Sequence, residues 1–187
     1  WWGFLKAKFG YTDAQIRPYT FNLAPFLADQ SAIQQGYLGS EPFSIQQAIG
    51  ERPVVLLLAD AGFEGYGSLI VAPTALLARN PDLIRRFLAA SAEGWRAYLT
   101  ADPAPSNALI RHDNPEMTDD LLAYGRNALI THGLVLGGDA ARLGPFAMTD
   151  ARWAAFFAQV ESAHLYPASL DWHRAYTLQF VGAEERK

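Results

Sequence analysis

The segment Gln34-Gln35-Gly36-Tyr37-Leu38-Gly39-Ser40-Glu41-Pro42-Phe43 groups side chains suited to holding a small polar molecule. Glu41 is a carboxylate, an acceptor for an amino group or a ring N–H, and its charge roughly doubles the strength of such a bond. Ser40 is placed to orient polar ligand atoms, and Tyr37 combines a flat stacking face with a hydroxyl. Two further loops carry related chemistry. Asn22 offers an amide beside the apolar stretch Leu23-Ala24-Pro25-Phe26-Leu27. The loop Asp60-Ala61-Gly62-Phe63-Glu64-Gly65-Tyr66-Gly67 brings Tyr66 next to Gly65 and Glu64. This chemistry is recognition, not bond-making. Glu41, Tyr66, Tyr37, Ser40, Asn22 and Gly65 are the candidate ligand-binding residues. Each also has a plainer role: Asn22 and Ser40 are helix-capping types, the tyrosines suit core or hinge packing, and Glu41 suits a loop ion pair.

Each loop follows an apolar run that reads as a strand: Ile16–Phe21, Ala32–Leu38 and Val54–Ala59. The last is continuously apolar, as in a strand buried on both faces. Gly39 and Ser40 let the second run turn, and Pro42 fits a first helical turn, where its missing N–H has no partner to lose. Alternating strands and helices predict an α/β fold with parallel pairing and right-handed crossovers. In such sheets ligands bind beyond the carboxyl ends of the strands, which would gather the three loops in one crevice. Ser68–Ala72 reads as a last strand, closed by Pro73 and a Thr74 cap. Helices then dominate. Pro81 opens one with Ile84, Phe87, Leu88, Ser91, Trp95 and Leu99 on one face, ended before Pro103 and Pro105. Thr118 caps a second, stopped by Gly133, and Thr149 caps a third with Trp153, Phe156, Phe157 and Val160 as its stripe. A fourth spans about 171–180, and the tail Glu184-Glu185-Arg186-Lys187 is polar and frayed.

Composition excludes several classes. The chain has 187 residues, half of them apolar, enough for a real core. A formal charge of −4 and no clustered Lys/Arg argue against a nucleic-acid surface. No run of about twenty apolar residues is present to span a membrane. Cysteine is absent, which removes disulfides, thiolate catalysis and Cys-ligated metal from these residues. The histidines, His112, His132, His164 and His173, are scattered and lack His-x-x-x-His spacing, so no metal is expected. No nucleophile elbow, phosphate loop or dinucleotide fingerprint occurs, and no cofactor is expected. Trp95, Trp153 and Trp172 read as helix-packing residues. The opening Trp1-Trp2-Gly3-Phe4-Leu5, apolar and without methionine, reads as the continuation of an upstream segment.

Five strings carry a resemblance. They are Tyr19-Thr-Phe-Asn-Leu-Ala-Pro-Phe-Leu-Ala-Asp29, the Gln34–Phe43 segment, Leu58-Ala-Asp-Ala-Gly-Phe-Glu-Gly-Tyr66, Gly144-Pro-Phe-Ala-Met-Thr-Asp-Ala-Arg-Trp153 and Ala175-Tyr-Thr-Leu-Gln-Phe-Val181. In this order the chain resembles the periplasmic substrate-binding proteins of bacterial ABC importers. The similar branch includes binders of thiamine pyrimidine precursors, riboflavin, alkanesulfonates and taurine. The resemblance implies a type II periplasmic-binding-protein-like two-lobed fold, here lacking the amino-terminal part of the first lobe. Residues 1–68 would be the second lobe, and 69–187 the hinge crossover and carboxyl-terminal helices of the first, with Gly65 to Leu69 as hinge. It implies a non-enzymatic receptor that clamps a small molecule between lobes and presents it to an ABC permease and its ATPase. Location would be periplasmic, or on the cell surface as a lipoprotein in a Gram-positive cell, touching membrane only through the permease or an unseen lipid anchor. The Glu and Tyr side chains suit a planar nitrogen heterocycle, such as a thiamine pyrimidine precursor or a riboflavin-like compound. A sulfonate, taurine or another small anion is the alternative, although the three loops contain no Lys or Arg. A pyrimidine-synthesising enzyme of the same fold is a further alternative, but its cysteine-rich iron motif has no counterpart here.

Overall fold

Capping residues and prolines set most helix starts. The computed structural model describes residues 1–181, so the tail Glu184–Lys187 lies outside the described residues. The helices are α1 (Trp2–Phe9), α2 (Ala24–Ala28), α3 (Glu41–Ile49), α4 (Thr74–Arg79), α5 (Pro81–Thr100), α6 (Ala104–Asp113), α7 (Asp119–Thr131), α8 (Asp139–Leu143) and α9 (Asp150–Ser162). Thr118 caps α7 by accepting from Leu121 N at 3.2 Å, and Thr149 caps α9 from Arg152 N at the same distance. Pro42 and Pro81 open α3 and α5 as expected. Thr74 begins α4 but its side chain makes no cap, the capping position being Pro73. Gly50 ends α3 at φ 81°, a left-handed conformation that costs glycine little.

The α/β sheet expected from the sequence is not formed: no strand occurs among the described residues. No backbone hydrogen bond among them joins two of the runs 16–21, 32–38, 54–59 and 68–72. Their apolar side chains stay open, Val54 at 88% and Val71 at 86% exposure. Connection length disfavours direct parallel pairing at two of the three joins. Two parallel neighbours need a crossover of a dozen or more residues. Residues 22–31 provide ten and residues 60–67 eight, and α2 is a five-residue helix. The interval 39–53, which holds α3, is long enough, and the runs it joins are unpaired all the same. Two helical expectations also change. On α5 Leu99 is buried, but Phe87 is 56% exposed and Trp95 partly so, so the apolar stripe is not covered along its length. In place of a helix over 171–180 there is one short 3-10 turn, Trp172–Ala175. Trp172 instead stacks on Phe157 at 5.9 Å, and Tyr176 on Trp153 at 4.7 Å and 8°. Those aromatic contacts outweigh a weak local helix preference.

The chain forms two compact units, each discontinuous in sequence. The first comprises Trp1–Ile16, Leu56–Glu93 and Gly138–Lys187. In it α1 packs on α9, and Gly3 lies so close to Leu165 that a Cβ there would sit 2.5 Å from a Leu165 methyl. Its buried apolar residues are Ala147, Trp153 and Val160. Trp2, unplaced by sequence, donates to Asp13 Oδ1 at 2.7 Å and stacks on Tyr11.

The second unit comprises Arg17–Val55 and Gly94–Gly137, with Ile45, Leu99, Leu122 and Ala128 buried. Within it Arg126 of α7 clamps the end of α5. Its guanidinium donates to the carbonyls of Tyr98 at 2.7 Å, Leu99 at 2.9 Å and Ala101 at 3.2 Å. Final-turn carbonyls have no partner inside their own helix, and a cation there also suits the helix dipole. Arg126→Ala should lower the stability of the chain by about 1–3 kcal/mol, measured by urea denaturation, because it strips partners from three carbonyls at once. Arg126→Lys should recover only part of that loss, since an ammonium lacks the planar fork.

Candidate functional site

Glu41 is the first residue of α3, and its carboxylate turns back over the loop that leads into the helix. Oε2 accepts from the Ser40 hydroxyl and, at 2.7 Å, from the Tyr37 N–H. Oε1 accepts from the Tyr19 hydroxyl at 3.4 Å. Two glycines make the posture possible. A Cβ on Gly36 would lie 2.7 Å from Glu41 Cβ. On the other side Gly39 rests on α7, where a Cβ on Gly125 would come within 3.0 Å of the Gly39 carbonyl oxygen. Phe43, one turn into α3, packs against Tyr124 of α7 at 5.2 Å between ring centroids. Partial burial pushes the Glu41 carboxyl up, but the hydrogen bonds from Ser40, the backbone and Tyr19 outweigh it, and the net shift is downward. The group is therefore a carboxylate at neutral pH.

The structure thus brings Glu41, Ser40 and the Tyr37 backbone together in the second unit. The Tyr37 side chain belongs to a residue that is 67% exposed. Ser40 makes no side-chain cap on α3; its hydroxyl goes to Glu41 instead. Asn22, in the same unit, is engaged elsewhere, accepting from Ala24 N at 2.9 Å at the start of α2. This is an Asx-type turn ahead of the helix, not a cap, the capping position being Leu23. Sequence reasoning passed over Tyr19. The available signal was its alternation with Phe21 at the end of an apolar run, and the two rings do lie 5.3 Å apart.

Tyr66 and Gly65 belong to the first unit, where their loop is tied to the start of α9. Arg152 donates to the carbonyls of Glu64 at 2.9 Å and Gly65 at 3.3 Å. Its guanidinium also sits 4.3 Å from the centroid of the Tyr66 ring, a cation–π contact. The Tyr66 hydroxyl accepts from Thr149 N at 3.0 Å, and the ring lies 5.7 Å from Trp153. Gln159 extends the grip by accepting from Glu64 N at 3.0 Å and donating to the Gly62 carbonyl. At Gly65 a Cβ would meet the Phe63 ring at 2.6 Å. Arg152 was not singled out by sequence, although it lies three residues after the Thr149 cap. Among the described residues no cluster of three His, Cys, Asp or Glu could hold a metal. No described helix is long and apolar enough to cross a membrane.

The Glu41 shift has a sign that can be checked. Because the folded carboxyl lies below its ordinary value of 4.5, its stabilising effect is complete above that value and is lost as pH falls through the lowered one. In melting experiments between about pH 7 and about pH 3, wild type should lose stability faster than Glu41→Gln. The gap between them should shrink with acid. A constant gap would show that the charge on Glu41 contributes nothing.

No curated protein and no solved structure matches the chain. A family model described as NMT1/THI5 like matches residues 5–106, more than half of it. The matched interval holds Tyr19, Asn22, Tyr37, Ser40, Glu41, Gly65 and Tyr66. That family includes ABC substrate-binding proteins and thiamine pyrimidine synthesis proteins and implies a periplasmic-binding-like fold. By this match, the chain belongs to the NMT1/THI5-like family.

Proposed function

We propose that the chain is the solute-binding component of an ABC import system. Its ligand is a small planar nitrogen heterocycle, of the thiamine-pyrimidine-precursor or riboflavin-like kind, received at the Glu41 loop. The observation that carries this reading is the Glu41 carboxylate: ionised, held by its own loop through Oε2, and loosely occupied on Oε1. A group prepared in this way gives up only one loose bond to accept from an amino or ring N–H. A sulfonate would bring negative charge against it. Family membership supports the transport role, with a permease and ATPase as partners; the periplasm, or the cell surface of a Gram-positive cell, is the location that this role would require. Binding without turnover is the preferred form, because the 187 residues contain no cysteine for the iron motif of the synthesising branch.

Calorimetric titration of the full chain with an aminopyrimidine, a flavin and an alkanesulfonate tests the proposal. The heterocycles should bind and the sulfonate should not. Glu41→Gln should weaken aminopyrimidine binding by roughly 1–3 kcal/mol, the range for a hydrogen bond to a charged group. Binding of the sulfonate alone would overturn the heterocycle reading.

A further inference from the structure

Tyr19 does more at this site than fill space. A hydroxyl donating to a carboxylate usually sits about 2.5–2.7 Å away. The Tyr19 hydroxyl is 3.4 Å from Glu41 Oε1, a loose bond. Oε2 is the opposite case, closed by Ser40 and the Tyr37 N–H. The two oxygens of one carboxylate are therefore unlike, and only Oε1 keeps acceptor capacity for an incoming donor. Beside Tyr19 stands Phe21, 90% exposed and held at φ 58°, a region that bulky residues rarely occupy. The two rings lie 5.3 Å apart at 45°. Burial, then the neighbouring Glu41 charge, pushes the Tyr19 phenol up, so it remains a hydrogen-bond donor across the neutral range.

Resting on the heterocycle reading above, we infer that Tyr19 is a specificity-determining residue whose O–H, together with Glu41 Oε1, selects ligands carrying an N–H donor beside a hydrogen-bond acceptor. The ligand N–H takes the place of the loose bond on Oε1. Tyr19, released from Glu41, then donates to the neighbouring acceptor, and Phe21 offers a flat apolar face alongside. A ligand with the donor but no adjacent acceptor leaves the Tyr19 hydroxyl without a partner. Sites built to pair a polar group discriminate strongly against analogues that leave it unpaired.

The test compares two probes on the full chain by titration: 4-aminopyrimidine, whose amino group adjoins a ring nitrogen acceptor, and aniline, which has the amino group alone. Wild type should prefer 4-aminopyrimidine. Tyr19→Phe keeps the ring and removes only the hydroxyl. It should weaken 4-aminopyrimidine binding roughly 5- to 20-fold without weakening aniline, whose unpaired-hydroxyl penalty is removed, so that the preference collapses. Melting curves of the variant establish that it is folded. If wild type binds 4-aminopyrimidine and Tyr19→Phe binds it equally well, this inference falls and the heterocycle reading stands. Equal weakening of both probes assigns Tyr19 a purely structural role and also overturns the inference. If wild type binds no heterocycle at all, both readings fall together.

Discussion

The fold of the 36–41 loop depends on a carboxylate that closes onto the backbone in front of its own helix. An acidic residue in a first turn ordinarily complements the unpaired N–H groups of that turn. Glu41 also directs Oε2 back to Tyr37 N and Ser40 Oγ, ahead of the helix, which fixes the loop from Gly36 onward. The posture leaves no room for a side chain at Gly36 and little at Gly125 beneath Gly39. Steric clearance, loop shape and the direction of one charged group are thus a single constraint. Relaxing any of them would turn the carboxylate outward, where it would be an ordinary solvated acid.

The 60–67 loop is secured by the reverse chemistry. Here the loop offers carbonyls, and a helix supplies the donors, Arg152 and Gln159. Arg152 also covers a face of Tyr66, so the ring and the backbone on either side of Gly65 are fastened by one side chain. One loop is organised around an acceptor and the other around a cation. Each therefore presents a different electrostatic character to its surroundings, set by residues on an adjoining helix. In the Tyr66 loop the polar groups are largely consumed by internal bonds; in the Glu41 loop one oxygen is not.

Local signals made much of this legible. Thr118, Thr149, Pro42 and Pro81 mark helix starts because capping and fixed φ are short-range effects. Val160 and Trp153 on α9 follow from helical periodicity. The sheet did not follow. An apolar run such as Val54–Ala59 has the composition of a buried strand, but pairing is non-local and depends on whether the connection can return the chain. Residues 22–31 and 60–67 are short for a parallel return, and the run across the longer interval 39–53 finds no partner either, which composition does not reveal. At the site, the grouping of Tyr37, Ser40 and Glu41 was readable because they are adjacent in sequence. Tyr19 and Arg152 were not, since each reaches its loop from a distant position.

The run Val54–Ala59 carries a further consequence. An apolar stretch of this length, uncharged and free of proline, is the kind that stacks against copies of itself when its backbone is open. The residues on either side counter that hazard. Glu51 and Arg52 place charge directly ahead of the run, Pro53 removes an amide at its mouth, and Asp60 closes it. These are gatekeepers in the aggregation sense. The tendency of the run to self-associate is thereby opposed by the four positions that flank it.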